Sequence, residues 1–297
     1  MKVFITGGTG FIGKHVTNKL AEEGFDLLLL SQNPNFILPA KAKTVTGDLA
    51  SIEKWIKEVK DFSPDAVLHM AWEGIPDYSY TMSVKNLNYG LSLLDAIAGI
   101  GCKYFLSTGS CWEYGKQTGR LDEETPIKPL NAFTASKNAL HWLGRETAKE
   151  YLMQFVWTRF FYVYGPGQKE TSLIPYLINC VKAGKNPEAK NPFAQNDFIY
   201  VEDVAEAIYK IIKNCKESGV YNIGSGYLTS VQDIVKNIFD AFGSSEKYKV
   251  VKPGPTDVFS GFYADISKII KETGWEPKTG IKEGIQKTID YYKSSKN

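Results

Sequence analysis

The sequence predicts an α/β protein: a doubly wound parallel sheet carrying a smaller C-terminal α/β lobe. Three observations lead there. Short apolar runs alternate with stretches of helical periodicity through the first half of the chain, the pattern of right-handed β-α-β crossovers. Those runs are continuously apolar rather than alternating, as in strands covered on both faces. The 297 residues also exceed one average domain and leave room for a second unit.

Strands are expected at Lys2–Thr6, Asp26–Leu30, Lys43–Val45, Ala66–His69, Tyr104–Ser107 and Phe155–Phe160. Helices are expected between them at residues 11–23, 50–60, 79–99 and 134–151, where apolar residues recur at three- and four-residue spacing. Past residue 165 the rhythm breaks into shorter pieces rich in Pro, Gly and Asn. Residues 1–165 are therefore read as the sheet domain and 166–297 mainly as the lobe. A later segment, 196–215, is expected to return to the sheet domain, re-entering its sheet near Phe198–Val201.

Composition narrows the class. With 43% apolar and 23% charged residues the chain is globular rather than disordered. Thirty-five basic against 33 acidic residues give +2, too little to draw nucleic acid or an anionic membrane. No apolar run reaches the ~20 residues that span a bilayer, and Met1–Ile5 runs into glycines without the apolar core of a signal peptide. The cysteines at 102, 111, 180 and 215 form no CxxC pair, so neither a metal site nor a disulfide framework is expected. A reduced cytoplasm is the expected compartment.

The first strand runs into Gly7-Gly8-Thr9-Gly10-Phe11-Ile12-Gly13 and then a helix. Gly7 permits a tight turn, Gly10 lets backbone N–H groups approach a pyrophosphate, and Gly13 lets the helix pack closely. The positive helix end then faces the phosphates. The alternative is a glycine-rich turn without a ligand, and the strand–loop–helix context favours phosphate. A carboxylate at the end of the second strand would bond the ribose of NAD and repel the 2′-phosphate of NADP. Here that strand ends in Ser31-Gln32-Asn33. Ser31 and Asn33 can donate to a phosphate, which favours NADP(H) over NAD(H), with NAD(H) still possible. Asp48 could accept from an adenine amino group, serve as a helix N-cap, or do both.

Taken together, Gly7–Gly13, Thr46–Leu49, Val67–Ala71, Ser107–Gly115, Phe133–Lys137, Arg159–Gly167, Phe198–Val204 and Tyr221–Gly224 resemble the extended short-chain dehydrogenase/reductases that act on nucleotide-linked sugars. The resemblance covers most of the chain. It implies a dinucleotide-binding Rossmann-like domain over 1–165, a nucleotide-sugar-binding lobe over 166–297, and a homodimer built on two helices per subunit. It also implies cofactor contacts at Gly7, Gly10, Phe11, Ile12, Gly13, Ser31, Asn33, Asp48, Leu49, Ala71 and Lys137.

The family's chemistry is hydride transfer at a sugar carbon with proton transfer at its oxygen. Its Y-x-x-x-K motif places a tyrosine and a lysine one helical turn apart on one face. The ammonium stabilises the phenolate and lowers its pKa from about 10. In this chain the motif reads Phe133-Thr134-Ala135-Ser136-Lys137. Lys137 is present; the tyrosine is replaced by Phe133, which has no proton to give. The hydroxyl that orients the sugar oxygen falls on Ser110, with Thr108 as second choice. Three explanations compete for Phe133: an inactivating Tyr→Phe change that traps substrate, another acid (Tyr162, Glu113, Cys111 or a water), or a non-catalytic NADP(H)-binding sensor. The first is favoured, because neighbouring positions still suit catalysis. Loss of a general acid costs roughly 10²–10⁴ in rate while sparing binding.

Ser110-Cys111-Trp112 carries none of the acids that dehydratases of the family place there. Tyr162 replaces an asparagine, and Asn196 an arginine expected on the diphosphate; Lys182, Lys185 or Lys190 could substitute for that charge. Trp72, Ser110, Cys111, Trp112, Tyr162 and Asn196 are the substrate-binding candidates, the aromatics serving either as flat walls for a sugar or as core. The resemblance is strongest to NADPH-dependent reductases of nucleotide-4-keto-deoxysugars in surface-polysaccharide synthesis. An NAD-dependent nucleotide-sugar 4-epimerase is the alternative.

Overall fold

The computed structural model describes residues 1–33, 36–185, 187, 191–215, 217–244 and 260–294. In chain order its elements are β1 (Lys2–Thr6), α1 (Phe11–Glu22), β2 (Asp26–Ser31), β3 (Ala42–Thr46), α2 (Ile56–Phe62), β4 (Ala66–His69), α3 (Tyr80–Gly99), β5 (Tyr104–Ser110), β6 (Gly119–Leu121), α4 (Ala132–Glu150), β7 (Gln154–Phe160) and β8 (Tyr162–Tyr164). There follow α5 (Leu173–Lys182), β9 (Gln195–Asn196), β10 (Phe198–Tyr200), α6 (Val201–Asn214), β11 (Gly219–Ile223), β12 (Thr229–Ser230), α7 (Val231–Ala241), β13 (Phe262–Ala264), α8 (Ser267–Thr273) and α9 (Ile281–Ser294).

Seven strands form one sheet in the order β11-β7-β5-β4-β1-β2-β3, and every pairing in it is parallel. The apolar runs explain themselves here. Val3 and Ile5 point to one face with Leu27 and Leu29, where α1 and α6 supply Val16, Leu20, Val204 and Ile208. Phe4, Leu28 and Leu30 point to the other, against Leu93 and Leu94 of α3 and Leu140 of α4. Both side-chain parities are buried, so no alternation survives in the sequence. Each such side chain contributes roughly 1.5–3 kcal/mol on burial.

Two expectations are corrected. The helix expected over 50–60 breaks into a 3₁₀ turn, Ile52–Lys54, and α2, because Trp55 between them is turned inward. Its Nε1 donates to the Asp48 carbonyl at 2.7 Å. A side chain at Gly47 would come within 2.4 Å of that indole. The second correction concerns re-entry near Phe198–Val201. β10 does not join the seven-stranded sheet; it pairs in parallel with β8. α6 packs on α1 from there, and β11 is the strand that joins the sheet's edge, beside β7.

The rest of the lobe is a four-stranded sheet, β12-β9-β13-β6, and a cluster of α5, α7 and α9 residues including Ile174, Ile178, Ile234, Ile238, Ile285 and Ile289. β6 reaches into this sheet from the first half of the chain, pairing with β13. Asp197 fastens the lobe from within: its buried carboxylate accepts from Ser225 N and Oγ, both at 2.6 Å, and from Gly226 N and Ala264 N, both at 3.0 Å. Among the described residues no helix is long and apolar enough to cross a membrane.

Candidate active site

β1 and β4 are neighbours, but the chain leaves them toward opposite sides of the sheet, and a crevice opens at their carboxyl ends. The glycine loop lines it. Gly7 has φ +76, and a Cβ there would lie 2.6 Å from Ala71 N. A Cβ on Gly13 would lie 2.0 Å from the Gly7 carbonyl, so only glycine lets α1 start this close to the turn. Gly10 is the N-cap of α1. Gly7, Gly10, Phe11, Ile12 and Gly13 all face one cavity of about 730 Å³.

The opposite wall comes from β5 and α4. Asn131 caps α4, its side chain accepting from Thr134 N at 2.9 Å, which sets Phe133 and Lys137 one turn apart. Lys137 Nζ donates to the Thr108 carbonyl at 2.6 Å and lies 3.9 Å over the Trp72 ring. Burial pulls its pKa down to about 7, against the opposing pull of the Glu113 charge. The Trp72 indole N–H is buried without a partner. Phe133 is 5% exposed, its ring 5.4 Å from Trp72, 5.0 Å from Tyr78 and 6.2 Å from Trp112.

Ser110 ends β5 and faces the same cavity. Its Oγ accepts from Trp112 N at 3.2 Å, while Ser110 N donates to Glu113 Oε1 at 2.8 Å. Glu113 thereby ties the Ser110 turn to the sheet. Fully buried, it pairs with Arg159 at 3.0 Å and accepts from Trp157 Nε1 at 3.1 Å. That removes Glu113 from the alternative acids: it forms no part of the cavity wall. Burial raises the Cys111 thiol well above its ordinary range. The hydroxyl of Tyr162 accepts from Trp112 Nε1 at 3.0 Å.

The cavity thus brings together Thr108, Ser110, Cys111, Trp112, Phe133, Lys137, Trp72 and Tyr162 with the glycine loop. Asn196 lines a second cavity of about 610 Å³, which shares Tyr162 with the first. Ser31, Asn33, Asp48, Leu49 and Ala71 lie outside the first cavity's wall, at or just beyond the carboxyl ends of β2, β3 and β4. Ser31 Oγ donates to Asn33 O at 2.9 Å and accepts Asn33 N at 3.1 Å. Asp48 accepts Ala50 N at 3.0 Å, a local turn bond and not a helix cap: the N-cap residue of the 3₁₀ turn is Ser51 and that of α2 is Trp55. Lys182 and Lys185 are exposed and face neither cavity; Lys190 lies outside the described residues.

Sequence reasoning missed Tyr78, Gln168 and Lys169, which also line the first cavity. Lys169 Nζ donates to Ile75 O at 2.7 Å, joining the loop after β8 to the loop after β4. Tyr78, Gln168 and Lys169 lie beyond the Val67–Ala71 and Arg159–Gly167 matches that open these loops. The only available signal was their position at strand carboxyl ends, where open α/β sheets bind ligands.

The residues fit a dinucleotide on three grounds: glycines where a Cβ would collide, an unpartnered indole N–H in the wall, and a buried lysine opposite the loop. Comparison with known proteins agrees. Residues 3–224 match the model of the NAD dependent epimerase/dehydratase family. The chain is 27% identical to the Arabidopsis thaliana trifunctional UDP-glucose 4,6-dehydratase/UDP-4-keto-6-deoxy-D-glucose 3,5-epimerase/UDP-4-keto-L-rhamnose-reductase, over 98% of this chain and 47% of that protein. It therefore spans about half the length of that relative. It is 30% identical to the putative UDP-glucose 4-epimerase of Methanocaldococcus jannaschii, over 99% of both chains. Of solved structures, MoeE5 in complex with UDP-glucose and NAD superposes with a TM-score of 0.86 at 25% identity, covering 100% of both chains.

Proposed function

Given that the chain belongs to the NAD dependent epimerase/dehydratase family, we propose that it reduces a nucleotide-linked 4-keto-deoxysugar with NADPH, in the synthesis of sugars for surface polysaccharide. One observation carries this reading within the family. Among the described residues, the cavity wall combines a buried lysine with the Ser110 and Thr108 hydroxyls and includes no carboxylate, which disfavours elimination of water and keeps the hydroxyls that orient a carbonyl oxygen.

In this reading the Gly7–Gly13 amides and the α1 N-terminus hold the pyrophosphate. Lys137 holds the nicotinamide ribose, and Asp48 with Leu49 and Ala71 borders the adenosine. When bound, the nicotinamide supplies a hydride to the sugar carbon. Ser110 Oγ orients the sugar oxygen, with Thr108 behind it. Trp72, Trp112 and Tyr162 offer flat apolar faces to the hexose, and Cys111 packs beneath them. Asn196 and the second cavity take the nucleotide end. Phe133 contributes only its ring, so turnover depends on whichever other acid reaches the oxygen. The preference for NADP(H) rests on the missing carboxylate after β2 rather than on Ser31, whose one proton is spent on Asn33 O. A homodimer through α3 and α4 is consistent with Trp142 and Leu143 being about half exposed on α4.

The 30% identity to a putative 4-epimerase favours a second reading, an NAD-dependent nucleotide-sugar 4-epimerase. The test is NADPH oxidation with UDP-4-keto-6-deoxyglucose, with and without Phe133→Tyr, which should raise the rate about tenfold or more. With UDP-glucose in place of the ketone, conversion to UDP-galactose without net change in NADPH supports the epimerase. Tight NADPH binding with neither reaction, in both proteins, supports a non-catalytic sensor.

A further inference from the structure

We propose that Tyr78 is the proton donor of this site, supplying from the loop after β4 the phenol that position 133 lacks; this rests on the reductase reading above. Among the described residues two phenols line the cavity, Tyr78 and Tyr162. The Tyr162 hydroxyl is bonded to the Trp112 indole at 3.0 Å. No hydrogen bond joins the Tyr78 hydroxyl to any described residue, and the residue is only partly buried. Its ring packs on Phe133 at 5.0 Å and on Trp112 at 5.3 Å. The Tyr78 ring therefore stands in the wall that holds Phe133 and Trp112.

The loop that carries it is braced. Glu73 N donates to Asn86 Oδ1 at 2.7 Å, and Asn86 Nδ2 returns a bond to Glu73 O at 3.0 Å. Lys169 holds Ile75 O from across the cavity. Ser79 caps α3 just beyond, accepting Met82 N. A side chain on so constrained a segment can be aimed at a reacting atom. Burial raises the Tyr78 pKa, so the phenol is protonated at neutral pH and has a proton to give.

The step balances as follows. Hydride from reduced nicotinamide forms the new C–H bond at the sugar C4, and the carbonyl π pair moves to oxygen. Tyr78 Oη–H breaks as its proton forms the O–H bond. The ketone is reduced, the dinucleotide is oxidised, and the phenolate is reprotonated by water at the cavity mouth. The test is a cycle of wild type, Tyr78→Phe, Phe133→Tyr and the double variant, assayed for NADPH oxidation with UDP-4-keto-6-deoxyglucose. Tyr78→Phe alone should lose about 100-fold in kcat. In the Phe133→Tyr background the same change should cost less than about tenfold, because the new phenol substitutes.

A second arm needs no cofactor: calorimetric binding of UDP-glucose and UDP-4-deoxyglucose to the free protein. A Tyr78 hydrogen bond to the 4-oxygen should add about 2- to 12-fold to the preference for UDP-glucose that Ser110 already gives, and Tyr78→Phe should lower the preference by that factor. Equal kcat in wild type and Tyr78→Phe, or an unchanged preference in the binding arm, overturns the proposal while leaving the reductase reading in place. Turnover that appears only with Phe133→Tyr also overturns it. If wild type binds neither nucleotide-sugar, the reductase reading itself fails, and the proposal falls with it.

Discussion

Glu113→Gln probes how the Ser110 turn is held. Glu113 is fully buried and Arg159 is 3% exposed, with their charged atoms 3.0 Å apart. The glutamine keeps the shape and one carbonyl oxygen, which can still accept Ser110 N. It removes the charge opposite Arg159 and can set an amide donor against a guanidinium donor. Breaking a buried pair from one side costs about 3–5 kcal/mol, since the remaining charge stays out of water. Against a typical total of about 5–15 kcal/mol, that is about a fifth of the stability or more. Arg159 Nη1 also donates to Tyr114 Oη at 3.0 Å, so its displacement would loosen Tyr114 as well. The assay is urea unfolding followed by tryptophan fluorescence. A companion double variant, Glu113→Gln with Arg159→Gln, should lose clearly less than the sum of the two single changes. A cost below about 1 kcal/mol for Glu113→Gln, or strict additivity in the double variant, would refute the argument that this pair holds the turn.

Two further outcomes follow from the same geometry. Gly13→Ala places a methyl where the Gly7 carbonyl already sits, at 2.0 Å; NADPH affinity by calorimetry should fall by about tenfold or more, and unchanged affinity contradicts the cradle. Lys137 has its folded pKa lowered to about 7 by burial, so between pH 7 and 10 the unfolded chain holds the extra proton and stability rises with pH. Cofactor-free wild type should therefore gain roughly 4 kcal/mol relative to Lys137→Met across that window, measured by urea unfolding at each pH; parallel curves would show that Lys137 is not desolvated.

Much of this was legible because local rules and global fold agree. β1 and β4 run over the residues their apolar runs indicated, and the glycine spacing located the tight turn from β1 into α1, since those constraints act within a dozen residues. β5 extends three residues past the expected end, to Ser110, because its last residues are held by pairing with β7 rather than by their own propensity. The pairing of β10 with β8 was illegible: Phe198–Tyr200 is as apolar as a sheet strand, and only the course of the intervening chain decides its partner. Tyr78 and Lys169 were missed for the same reason. They meet Phe133 and Ile75 across separations of 55 and 94 residues, fixed by topology and by no motif.

The central claim concerns the direction of electron flow at a sugar carbon. The most direct measurement uses NADPH deuterated at the transferable position, the Phe133→Tyr protein and UDP-4-keto-6-deoxyglucose, with the product read by mass spectrometry and NMR. One deuterium on C4, with one equivalent of NADP formed per sugar, is the expected result. Unreacted keto-sugar with no NADP formed, from a protein that interconverts UDP-glucose and UDP-galactose without consuming NADPH, would contradict it.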